Sequence, residues 1–143
     1  MSYIIDVIIH TAIGIIVIIP LWVKPFLRKV LLAVFIASSL IDIDHFIAAK
    51  SIYLKDAVTL RYRPYTHSIT FAVIVGGITF GITKSPRIGV AVCGGIMSHV
   101  LRDASTGITF ILYPMKLTKI PVWVYVMGEL LIFICCLVLR KWI

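Results

Sequence analysis

The chain is built from long apolar runs separated by short polar interruptions, and the positions of the interruptions predict the elements. Residues 4–23 are almost wholly apolar and close on Trp22 and Lys24, a length that matches the roughly 20 residues needed to cross a bilayer core with an aromatic and a cation at the interface. A second run, residues 26–49, enters through Arg28 and Lys29 and leaves at Lys50. Residues 51–65 carry Lys55, Asp56, Arg61, Arg63 and Pro64, so this stretch is expected outside the hydrocarbon. Helix three is then predicted over 66–83.

Lys84, Ser85, Pro86 and Arg87 form a turn, because proline cannot continue a helix and the two charges require water. A fourth helix follows over 88–103. Residues 104–121 are apolar but interrupted by Gly107, Pro114 and Pro121, which predicts a re-entrant or interfacial segment rather than a crossing. The last helix ends at Arg140 and Lys141. The expected fold is all-α: a single polytopic membrane bundle, residues 1–143, of about five helices.

Composition agrees. The 61% apolar content and mean hydropathy of +1.09 lie outside the range of soluble globular chains, which are about half apolar. Fourteen Lys and Arg stand against six Asp and Glu, but the cations fall between apolar runs rather than along one helical face. That placement suits anionic lipid headgroups and argues against nucleic acid as a partner. Cys93, Cys135 and Cys136 all lie in apolar runs without CxxC spacing and read as small buried hydrophobes. The first run lacks a basic leading region and a small-residue cleavage site, so it reads as a retained helix rather than a signal peptide.

The polar residues left inside the runs carry the chemistry. Five crossings alternate the helix ends between the two sides. On that count His10 in helix one, Asp42, Asp44 and His45 at the exit of helix two, His67 at the opening of helix three, and His99 and Asp103 at the close of helix four all reach the same face. Ionisable groups at bilayer depth cost several kcal/mol unless paired or coordinated, so they mark function more often than decoration. The i, i+4 pair His99 and Asp103 and the i, i+3 pair Asp42 and His45 can each present two groups to one ion, with Asp44 pointing elsewhere, toward a second ion or a histidine.

Imidazole mixed with carboxylate suits zinc, manganese or iron better than magnesium or calcium, and the set suffices for one or two ions, zinc foremost. No GxSxG, Walker A, GxGxxG or HExxH pattern is present, which makes a metal-activated water the better nucleophile candidate. Arg61, Arg63 and Arg102 lie near this face and offer guanidinium groups to a phosphate or carboxylate, although Arg61 and Lys116 are best read as headgroup contacts.

Three segments, SLIDIDHF at 39–46, RYRPYTHS at 61–68 and GGIMSHVLRDASTG at 94–107, together resemble the membrane-bound metal-dependent hydrolase family, which includes LexA-regulated inner-membrane proteins. The resemblance runs in order from His10 to Glu129. It departs at Ile41, where the family usually has Pro, and at Tyr62, where it often has His.

It implies His10, Asp42, Asp44, His67, His99 and Asp103 as metal ligands, His45 or Glu129 as proton carriers, and Arg63 as the neutraliser of an anionic substrate. It also implies a last helix starting near Gly128, which lifts Glu129 to the site face. The function expected is hydrolysis of a lipid-like or amphiphilic phosphoester. An ion or proton transporter, and a non-catalytic adaptor with a structural metal, remain the alternatives.

The leading segment has no Lys or Arg whereas Lys24, Arg28 and Lys29 follow helix one, so the positive-inside rule places the site face outside the cell membrane.

Overall fold

The computed structural model describes residues 3–24, 27–39, 41–60, 63–114 and 119–143. Among these the chain is all-helical: α1 (Tyr3–Ile18) runs into a 3-10 turn (Ile19–Leu21) and is followed by α2 (Leu27–Ser39), α3 (Ile43–Ala49), α4 (Leu54–Val58), α5 (Ile69–Thr83), α6 (Pro86–Thr106) and α7 (Val122–Leu139). The five long rods match the expectation. Two of them, Leu27–Ala49 taken as a unit and Val122–Leu139, are long and apolar enough to cross a membrane by themselves, and the rods containing Val7–Leu21 and Ile69–Thr83 are shorter but equally apolar.

The bundle is organised around α6, which packs against α5, α2, α1 and α7. Its apolar partners are Ile18, Val30, Val34 and Ile132 toward α1, α2 and α7, and Ala37 and Ala72 toward α2 and α5. Because α6 is wrapped by the other rods, it can be the least apolar of them and still carry buried polar side chains. The outer faces invert the soluble pattern: Ile8, Leu32, Phe35, Ile74, Leu131 and Val138 are all exposed. With lipid as solvent such a surface is at equilibrium, and helix association must come from close packing rather than from hiding apolar area.

The α5–α6 contact shows that packing directly. A Cβ built on Gly76 would lie 2.7 Å from Cys93 Cβ and 3.0 Å from the Gly89 carbonyl oxygen. Gly76→Leu is therefore expected to separate the two helices and destabilise the bundle by about 1–3 kcal/mol or more, read as a fall in thermal midpoint in detergent. An unchanged midpoint would contradict this close approach.

Helix ends follow local chemistry. Ser68 caps α5 by accepting from Phe71 N at 3.1 Å, and Ser85 caps α6 with Pro86 at its first position. Three expectations are corrected. Helix two is not continuous but breaks after α2, and Asp42 becomes the N-cap residue of α3. The last helix starts at Val122, not near Gly128: Pro121 sets the start, and Gly128 sits mid-helix, where a Cβ would strike Leu101. Of the cysteines only Cys136 is buried; Cys93 is half-buried and Cys135 faces outward, since adjacent helical positions point about 100° apart.

In the segment expected to be re-entrant or interfacial, residues 104–106 finish α6, the described residues 107–114 and 119–121 are irregular, and protein satisfies part of their backbone. Arg63 N donates to Ile108 O, Ile69 N to Ile111 O at 2.9 Å, and Ile120 N to Ala104 O at 2.9 Å. It closes over the end of the bundle where α6 finishes and α5 begins.

Candidate metal centre

The break between α2 and α3 positions the first half of the site. Ending α2 at residue 39 leaves carbonyls without helical partners, and the Ser38 carbonyl oxygen instead accepts from His99 Nδ1 at 2.9 Å. A carbonyl can only accept, so His99 carries a proton on Nδ1 and turns Nε2 inward. The same break swings Asp42 into that space. The second half comes from the turn before α5: Thr109 Oγ1 donates to the His67 carbonyl oxygen at 2.8 Å and ties this turn to the overlying segment.

The result is a buried tetrad of Asp42, His67, His99 and Asp103. His67 Nε2 lies 3.4 Å from Asp42 Oδ1 and 3.4 Å from Asp103 Oδ2, and His99 Nε2 lies 3.3 Å and 3.4 Å from the same two oxygens. His99 Nε2 and Asp103 Oδ2 make no hydrogen bond among the described residues. Facing two carboxylates in a dry site, His99 Nε2 is stable either as an N–H or as the ligand of a cation lying among them. The spacing is also longer than the roughly 2.7–2.9 Å of a charge-assisted hydrogen bond. It matches the edge of about 3.3–3.4 Å that tetrahedral zinc imposes on nitrogen and oxygen ligands at about 2.0–2.1 Å. The donor set and its spacing fit a divalent cation.

His10 completes the wall: its ring stacks on that of His99 at 3.9 Å, and Nε2 is 3.6 Å from Asp103 Oδ1. Asp44, His45 and His67 form a second group. The Asp42–His45 pairing expected from i, i+3 spacing is present at 3.7 Å, longer than the 3.0 Å from His45 Nδ1 to Asp44 Oδ1.

Tautomers separate the two groups. Arg63 Nη1 is 2.9 Å from His45 Nε2, and a guanidinium only donates, so His45 accepts on Nε2 and keeps its proton on Nδ1. That Nδ1 lies 3.0 Å from Asp44 Oδ1, and His67 Nδ1 lies 3.2 Å from Asp44 Oδ2. Asp44 therefore lies at ion-pair distance from both rings, behind His67 while Nε2 faces the tetrad, with no contact that meets hydrogen-bond geometry, and a carboxylate in that place can back a ligating histidine. Asp44→Asn is expected to weaken metal affinity about 10- to 100-fold without removing a ligand, as a competition titration with a chelator would show. An unchanged affinity would remove Asp44 from that role.

Arg63 joins the groups at the mouth of the site: Nη2 is 3.3 Å from Asp103 Oδ1, and the side chain is 28% exposed where the tetrad is buried. Arg102, adjacent in sequence to Asp103, turns away toward Tyr125 of α7. Glu129 accepts from Ser98 Oγ at 3.1 Å between α6 and α7 and belongs to neither group. Arg61, Tyr62 and Lys116 lie outside the described residues.

His67 precedes α5 and lies outside the spanning helices. Burial opposes its charge, but the carboxylates of Asp42 and Asp44 outweigh burial and hold its pKa above the ordinary imidazole value. A cation must displace that proton, so affinity should fall as pH drops through the raised value, with proton release on binding. Calorimetry in buffers of different ionisation enthalpy checks this, and a pH-independent affinity with no proton release would contradict it.

Two residues essential to the geometry escaped sequence reasoning. Ser38 acts through its backbone carbonyl, which no side-chain pattern reveals, and Thr109 sits in a segment with no helical register.

The family model for YdjM inner membrane proteins matches residues 5–142. The chain belongs to that family. Membership agrees with the outward apolar faces and makes this a membrane protein in which the buried His and Asp residues sit inside a helix bundle. No curated protein and no solved structure matches the chain.

Proposed function

We propose that this family member is a membrane-embedded, metal-dependent hydrolase acting on an anionic, lipid-like phosphoester. The observation that carries the reading is the buried tetrad: two imidazole nitrogens and two carboxylates at 3.3–3.4 Å with an arginine at the mouth. Asp42, His67, His99 and Asp103 hold one divalent cation, zinc before manganese or iron. Asp44, His45 and His67 form a second group that could take an ion.

When bound, such a cation supplies Lewis acidity and lowers the pKa of water toward neutrality. The chain's own residues do the rest. Arg63 receives the anionic group and is held in register by His45 and Asp103. His10 closes the wall behind His99. The surrounding rods and residues 107–114 limit water. His45, with Nε2 committed to Arg63 and Nδ1 to Asp44, serves as a positioning residue, and Glu129 is assigned no step. The basic loop carrying Lys24 and Arg28 supports an external site face by the positive-inside rule.

The test is turnover of a phosphoester panel in mixed micelles by protein loaded with zinc, manganese or iron. Metal-dependent hydrolysis that chelator abolishes is expected. A fully loaded, folded protein without turnover would overturn the reading and favour a structural metal in an adaptor, to which one observation also points: four protein ligands can complete a zinc coordination shell without an open position.

A further inference from the structure

A groove of about 310 Å³ runs between the α2–α3 rod and α5, with Ile36, Ile41, Ile43, Ile47, Phe71 and Ile96 among its walls. Its polar lining is confined to Asp44 and Thr66. Asp44 is the carboxylate that touches His45 and His67, so the groove ends against the back of the metal centre. At the other end its rim, Ile43 and Ile47, is exposed and continues into exposed Ile52, Tyr53 and Leu54, flanked by Lys50 and Lys55. An apolar patch edged by cations suits the boundary between acyl chains and anionic headgroups.

We infer that this groove is an acyl-chain subsite that takes one fatty chain of an anionic phospholipid from the surrounding bilayer. The walls belong to rods whose outer faces are apolar, so the medium that reaches the groove is lipid, and a hydrocarbon chain is the only abundant solute that leaves none of its polar surface facing those isoleucines. Charge agrees: the headgroup end meets Lys50 and Lys55 at the rim. Ile96, on the central helix and 3% exposed, lines the groove. The inference does not rest on the hydrolase reading: the headgroup is held at the rim, and occupancy of the groove stands apart from turnover.

The experiment uses the full chain in nanodiscs containing a phosphatidylglycerol with a diazirine midway along one acyl chain, irradiated and mapped by peptide mass spectrometry. Labelling of Ile96 and Phe71, beyond that of outward Leu131 and Val138 on α7, is expected. Ile36→Trp, on the partly open wall, should abolish labelling of Ile96 while leaving that of α7 and the metal content unchanged. Should this variant fold poorly, Ile43→Trp at the exposed rim carries the same expectation. Labelling of α7 alone, or labelling of Ile96 that survives both substitutions, would overturn the subsite. Groove labelling in a protein that hydrolyses no phosphoester would keep the subsite and remove the hydrolase reading.

Discussion

Replacing His99 with Ala is expected to strip the protein of its metal and of any hydrolysis together. His99 is fully buried on the central helix, its Nδ1 proton is fixed by the Ser38 carbonyl oxygen, and its Nε2 contacts both carboxylates of the tetrad. The loss should exceed the roughly 100-fold that removal of an outer-shell partner costs, because a ligand itself disappears and two carboxylates are left facing one imidazole. Since α6 is also the packing centre of the bundle, helicity and monodispersity of the variant must be followed beside metal content. His99→Gln, which retains a polar head of similar reach, separates a lost ligand from a lost fold. A folded His99→Ala protein that keeps both metal and turnover would refute the assignment.

Arg63→Ala should behave in the opposite way, keeping the metal while losing activity. The guanidinium is the partly exposed cation of the cluster, linked to His45 Nε2 and Asp103 Oδ1, and touches only one member of the tetrad. Removing a preorganised donor to developing negative charge costs about 10²- to 10³-fold in turnover. Arg63→Lys should recover part of that loss, since it restores the charge but not the two-pronged geometry that holds His45 and Asp103 at once. The measurements are kcat/KM on a phosphoester and metal per chain for both variants. Loss of metal in Arg63→Ala to the extent seen for His99→Ala would make Arg63 a structural clamp on Asp103 instead.

The rods were legible in the sequence because lipid demands long apolar runs, and the residues that break them are charged or proline. The convergence of His10, Asp42, His67, His99 and Asp103 was legible for the same reason: alternate crossings assign each helix end to a side, and four histidines fell on one. What could not be read was how the groups divide. The run from 26 to 49 is apolar through the α2–α3 break, so periodicity shows one helix where there are two, and the i, i+3 rule then pairs Asp42 with His45. The start of α7 was present at Pro121, but the family resemblance drew it to Gly128, whose smallness serves packing against Leu101 rather than a helix start. Tautomers lie beyond any sequence pattern, since a backbone carbonyl and a guanidinium from distant segments fix them.

The central claim is that the tetrad holds one divalent cation, and the most direct test is elemental analysis of the detergent-purified wild-type chain. About one equivalent of zinc, manganese or iron per chain, retained through gel filtration, is the predicted result. A folded protein that is metal-free as purified and takes up none of the three when they are supplied would contradict it, leaving the imidazoles to balance the carboxylates as buried ion pairs.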